Sequence, residues 1–254
     1  MIVLGFDTST PATAVGLRLA DGITVQARDD PRDGERPGHA TRLLPLAAGL
    51  LAQAGLRFAD VDRIAVGVGP GTFTGLRIGV ASARGLAQSL DAELLGVSSP
   101  LALALVAANG EARSQSVLAL IDARRGEVFA ALYAPVDVPL IEREPLVPRQ
   151  LASPRALAPA DFGEILEAVT ANGDDARGWV AVGNGAVLHR DALLALGLRV
   201  PAADSALHRV SGEAICALAA SGLAQPIDTV LPDYRRRPDA ELALEHAIAS
   251  GGGA

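Results

Sequence analysis

The residue types that could do chemistry fall in a few short stretches. Asp7-Thr8-Ser9-Thr10 follows an apolar run and precedes a hairpin pattern. Free N–H groups and hydroxyls in such a turn can hold a phosphate, and an aspartate can position a metal-bound water. The same side chains can equally bond their own backbone, and both readings stay open. Gly69-Pro70-Gly71-Thr72-Phe73-Thr74-Gly75 lies between an apolar run and a helical pattern. It matches neither the Walker pattern nor the dinucleotide fingerprint. It could offer N–H groups at a helix start, or simply allow a sharp turn capped near a threonine. Gly183-Asn184-Gly185 after "GWVAVG" could underlie a base or ribose, or be a plain strand-to-helix turn. His39 opens a helical pattern, but the i+4 position that a metal-binding helix needs is Leu43. His189, His208 and His246 have no ligand spacing. Cys216, the sole cysteine, sits in an apolar helical pattern as a small buried hydrophobe, which excludes a disulfide framework and a thiolate metal site.

Composition narrows the classes further. All 22 basic residues are arginine, so a Walker lysine and a Schiff-base lysine are excluded. With net charge −7 and pI about 5.1, the chain is a poor candidate to grip a nucleic-acid backbone alone. Arg235-Arg236-Arg237 is a local basic run in what reads as a solvated tail. "MIVLGFDTST" begins a strand at once, without a basic leader, and no apolar run is long enough to span a membrane. The expectation is a soluble, cytoplasmic protein.

The elements that must position these residues read as α/β. A buried strand ending at Asp7 leads into a hairpin with its turn at Asp21-Gly22. A charged loop (31–38) precedes an amphipathic helix from His39 to Leu56, with a kink or late start expected at Pro45. A second helix, Gly75 to Leu90, carries Gly75, Gly79, Ala83 and Ala87 every four residues, which leaves one side nearly bare. That side could pack within the chain or meet another helix. "VLALIDARRGEVFAALYA" repeats the logic of the N-terminus, with Asp122 opposite Asp7, and suggests a duplication. Six prolines between 135 and 159 predict irregular connections. Helices are expected in "DFGEILEAVTANG" and "SGEAICALAASGL".

Together "GFDTST", "RPGHATRLLPLAAGLL", "VGVGPGTFTGLRIGVASARGLA", "GVSSP" and "ALIDARRGEVFAALY" resemble the TsaB (YeaZ) family of bacterial tRNA threonylcarbamoyladenosine biosynthesis proteins. The Gly69–Gly79 run is the most specific element, and "PDYRRRP" fits a short C-terminal Pro-x-Tyr signature more weakly. The resemblance implies a duplicated actin-like/Hsp70-like (ASKHA) fold of two α/β lobes, each beginning with a ββ unit. The lobes would cover 1–100 and 101–230, with a tail at 231–254. It implies no catalytic residue and no metal site here: the chain would support a TsaD-like catalytic subunit, together with a TsaE-like ATPase. ATP and the metal ion would belong to those partners, and tRNA would be reached only through the complex. The implied contact is a four-helix one, with the catalytic subunit or with a second copy when the chain is alone. On this sequence it maps to His39, Leu43, Leu46, Leu50, Leu76, Gly79, Val80, Ala83, Leu86 and Ala87. Asp7, Thr8, Ser9, Gly183 and Gly185 would mark a vestigial nucleotide cleft. A stand-alone ASKHA-type ATPase or phosphotransferase using that cleft is the alternative. A metallopeptidase would need the histidine pair that Leu43 interrupts.

Overall fold

A computed structural model describes residues 1–32, 34–136, 147–170 and 178–235. Two sheets organise them. The first has strand order β3-β2-β1-β4-β5, from β1 (Val3–Asp7), β2 (Thr13–Arg18), β3 (Thr24–Asp29), β4 (Arg63–Gly69) and β5 (Glu93–Ser98). The second repeats that order without a fifth strand, β8-β7-β6-β9. It is built from β6 (Ser116–Arg124), β7 (Glu127–Tyr133), β8 (Gln150–Leu157) and β9 (Trp179–Val182). In each sheet the first strand pairs antiparallel with the second and parallel with the strand that follows the helix, so the duplication holds at the level of topology. This is the actin-like, ASKHA-type plan of two α/β lobes.

Period-two side-chain placement builds three apolar layers around the sheets. From β1 and β4, Leu4, Phe6, Ile64 and Val66 face outward under α1 (His39–Gln53) and α2 (Phe73–Leu90). Val3 and Ala65 face inward. There α3 (Ser99–Ala108) and α7 (Gly212–Ser221) fill the space between the sheets, against Val117, Ala119 and Ile121 of β6. Beyond the second sheet lie α4 (Phe162–Thr170), α5 (Asn184–Leu188) and α6 (Arg190–Ala195). α3 is apolar all round, as a helix enclosed between two sheets must be. Ser98 accepts from Leu101 N–H to cap it, and Ser211 accepts from Ala214 N–H at 3.0 Å to cap α7.

α7 lies against β1 and β2 of the first sheet, so the late part of the chain returns to the first lobe. Gly16 and Gly212 permit the contact: a Cβ on Gly16 would lie 2.3 Å from Gly212 O. Beside them, Cys216 is fully buried, with its thiol near Val3 O and pushed up to about 12 by burial, so it is packing and not a nucleophile.

Two expectations are corrected. Of the kink or late start expected at Pro45, the late start is excluded, because α1 begins at His39 and runs through Pro45. The proline-rich stretch is not wholly irregular, since β8 runs through Pro154. An edge position tolerates proline, and a shift in register sets Ser153-Pro154 outside the paired positions Ala152 and Arg155. Pro139 and Pro145, the end of the helix expected in "DFGEILEAVTANG", His246, Arg236-Arg237 and the tail from 236 onward lie outside the described residues. No described helix is long and apolar enough to cross a membrane.

Candidate functional site

The turn after β1 is closed from within. Asp7 Oδ1 accepts from Ser9 N at 2.8 Å and Ser9 Oγ at 2.7 Å, and Oδ2 accepts from Ser99 Oγ at 2.5 Å. Asp7 is 1% exposed and Thr8, Ser9 and Ser99 are fully buried. Asp122 closes the matching turn of the second unit in the same way, its Oδ1 accepting from Arg124 N at 2.7 Å. The repeat thus extends to hydrogen bonding: each aspartate receives the N–H two residues on. The difference lies in surroundings. Asp7 is sealed beneath α2, whereas Asp122 borders a cleft.

The glycine loop explains the seal. Added Cβ atoms at Gly71, Gly75 and Gly79 would lie 2.4 Å from Ser9 O, 2.0 Å from Thr8 O and 2.3 Å from Thr8 Oγ1. Thr8 Oγ1 donates to Gly75 O at 2.7 Å, and Thr72 N donates to Ser9 O at 2.8 Å. The small-residue side of α2 is therefore the means by which the helix seats itself on the β1 turn. Thr72 stands at the cap position but makes no side-chain capping bond.

This corrects the mapping of the partner contact. His39, Leu43, Leu50, Leu76, Gly79, Val80, Ala83 and Ala87 are buried in this chain's own core, and Leu46 and Leu86 are half-buried against it. An α-helix resting on a sheet turns its apolar stripe inward, and sequence periodicity alone does not say which surface that stripe meets. The outward side carries a second run of small residues. Ala40, Leu44, Ala48 and Ala52 of α1 are exposed, as are Ala81 and Gly85 of α2. A Cβ on Gly49 or Gly85 would meet nothing within 4 Å.

Nor does the structure bring the expected nucleotide residues to a cleft. Asp7, Thr8, Ser9, Gly183 and Gly185 line neither of the two described clefts. Gly183, at φ +100°, and Gly185 are pressed on Leu120, where added Cβ atoms would lie 2.1 Å from its carbonyl oxygen and 3.0 Å from its carbonyl carbon. Asn184 Oδ1 accepts from Asp122 N at 3.1 Å, tying the turn to the second aspartate. The larger cleft, ≈ 750 Å³, lies where the start of α2 faces the β6–β7 turn. Arg36, Arg124, Arg125 and Arg235 border it with Asp122 and Asp233. Arg125-Gly126 is a two-residue turn with φ +56° and +77°, and Arg124 precedes it at φ +65°. Arg124 pairs with Asp122 at 3.4 Å and Arg235 with Asp233 at 2.6 Å, and no signal beyond "DARRGE" announced the β6–β7 part of this cluster.

His39 lies on the cleft wall at 3% exposure. Its Nδ1 is 2.9 Å from Thr13 Oγ1, a partner that sequence reading missed, and Nε2 is buried without one. With Leu43 at i+4 and both Asp7 oxygens engaged, this donor set does not fit a metal ion. Burial holds the imidazole below the usual histidine value of 6.5, outweighing the pull of Asp7 and Asp29 in the other direction. The unfolded chain then binds the extra proton first, so stability is present above about pH 6.5 and is lost as pH falls toward the folded value. His39→Gln is expected to flatten the acid side of a Tm-against-pH profile. An unchanged acid slope contradicts a neutral, buried His39.

A family model described as TsaD, tRNA N6-adenosine threonylcarbamoyltransferase, matches residues 31–240. The chain is 38% identical over 135 residues to the tRNA threonylcarbamoyladenosine biosynthesis protein TsaB of Escherichia coli (strain K12), covering 52% of this chain and 55% of that one. It is 29% identical over 242 residues to the protein of the same name from Bacillus subtilis (strain 168), covering 95% and 96%. The match thus spans about half the length of the Escherichia coli relative and nearly all of the Bacillus subtilis one. The solved structure of YeaZ from Pseudomonas aeruginosa is similar with a TM-score of 0.70 at 31% identity, covering 92% of this chain and 99% of that one.

Proposed function

The chain belongs to the TsaB (YeaZ) family, and from that premise we propose that it serves tRNA threonylcarbamoyladenosine biosynthesis as a supporting subunit rather than as the catalyst. In this reading it docks on a TsaD-type catalytic subunit and, with a TsaE-type ATPase, supports transfer of threonylcarbamoyl to the adenosine next to the anticodon in tRNAs reading ANN codons. The work is done in the cytoplasm. ATP and the metal ion stay with the partners, and tRNA is met through the complex. Alone, the chain pairs with a second copy through the same face.

The observation that carries this reading is the outward side of α1 and α2. Glycine inside an exposed helix costs about 1 kcal/mol relative to alanine, yet a Cβ added at Gly49 or Gly85 would meet nothing within 4 Å. Close approach by a partner helix gives those positions a use, and Leu44, 46% exposed, adds apolar area beside them. The burial of Asp7, hydrogen-bonded at both oxygens and lining neither described cleft, also supports a non-catalytic role. Docking would act by favouring the catalytic subunit's competent conformation, to the extent of its differential affinity. Reconstitution tests this. Threonylcarbamoylation by TsaD- and TsaE-type proteins is expected to require this chain, and this chain alone is expected to give none. Modification by the isolated chain, or full activity without it, overturns the reading.

A further inference from the structure

We propose that Leu231–Arg235, anchored at Val230, forms a detachable strap that pins the first turn of α2 and, through it, the glycine loop. The anchor is Val230, 2% exposed, which packs in the outer core of the first lobe. The next attachment is set by β4. Its pairing with β5 runs Gly67 to Val97 and then Gly69 to Ser98, so Val68 is left out of the register. A residue in such a bulge has its carbonyl free for another segment. Asp233 N donates to Val68 O at 2.8 Å.

Beyond that bond, Tyr234 lies on Phe73, the first residue of α2, with ring centroids 5.1 Å apart. Arg77, one turn along, closes the group. Its guanidinium carbon lies 3.8 Å from the centre of the Phe73 ring, and Nε donates to Tyr234 Oη at 2.9 Å.

The start of α2 has need of such a tie. Thr72 supplies no capping bond and no acidic residue stands in the first turn, so local sequence does little for the exposed N–H groups. Arg77 places positive charge near the positive end of the helix, which is unfavourable without a partner. Beyond its buried anchor the strap holds by one backbone bond, one aromatic stack and the hydrogen bond from Arg77 to Tyr234. Leu231 is 58% and Tyr234 43% exposed, so it can leave without opening the core. Asp233, Tyr234 and Arg235 also form part of the cleft wall, so release would widen the cleft while freeing the end of α2.

Hydrogen exchange on the full chain tests this. In Tyr234→Ala, amides at 72–77 are expected to exchange at least about tenfold faster, with β1 and β4 unchanged, as local release requires. Tyr234→Phe keeps the ring and loses the bond from Arg77, and is expected to fall between. Unchanged exchange at 72–77 in Tyr234→Ala overturns the strap. So does an equal rise across the whole chain, or failure to fold, because a detachable segment leaves the core intact. None of these outcomes depends on a partner protein being present.

Discussion

Gly85→Arg is expected to purify folded and to fail to assemble with a TsaD-type subunit, whereas Ala83→Arg, two residues earlier on α2, is expected not to fold. Ala83 is fully buried against the first sheet. A guanidinium forced there meets packed aliphatic neighbours and no counter-charge, at a cost of about 4 kcal/mol or more. That consumes much of the about 5–15 kcal/mol by which a domain is stable. At Gly85 a side chain enters open space. Replacing an exposed helical glycine should even add about 0.5–1 kcal/mol to stability. At a close-packed helix contact the same arginine should cost about 2–4 kcal/mol, or roughly 30- to 1,000-fold in affinity. Circular dichroism with co-purification separates the two effects. A Gly85→Arg protein that still assembles at wild-type affinity contradicts docking through this face.

Asp7→Ala carries the other large effect. It removes the acceptor for Ser9 N, Ser9 Oγ and Ser99 Oγ, all of them buried. Each orphaned donor costs about 1–3 kcal/mol, so a loss of about 3–9 kcal/mol in urea unfolding is expected for the three. A ligand-holding aspartate behaves in the opposite way: its removal leaves stability nearly intact and abolishes binding of the ligand. Unchanged stability together with lost ATP affinity would therefore favour the stand-alone ATPase reading.

The contrast between Ala83 and Gly85 also shows how far the sequence could be read. The β1–β2 hairpin, the repeat of Asp7 in Asp122 and the approximate spans of α1, α2 and α7 followed from buried runs, turn residues and 3.6-residue spacing, which are local properties, whereas the strand order and α3 did not. The direction of the small-residue side of α2 did not follow. Gly75 and Gly79 are small because Thr8, some 70 positions earlier, comes within 2.0–2.3 Å of where their Cβ atoms would be. That contact exists only once β1 and β4 pair. The same holds for Ser99 closing on Asp7 and Tyr234 closing on Phe73, each joining segments far apart in the chain. β8 was missed for another reason: proline composition argued against a strand, and edge position with a shifted register overrode it.

The proposed docking through the outer side of α1 and α2 can be tested directly by cysteine labelling. The native Cys216 is buried, with its thiol pushed up to about 12, and should remain silent. Ala48→Cys introduces a reactive thiol on the outward side of α1, and Leu188→Cys places a control in the second lobe, at a site 58% exposed. Adding the TsaD-type subunit is expected to slow labelling at position 48 by about tenfold or more while leaving position 188 unchanged, as burial in an interface core requires. Equal labelling at position 48 with and without a demonstrably bound partner would contradict docking through these helices.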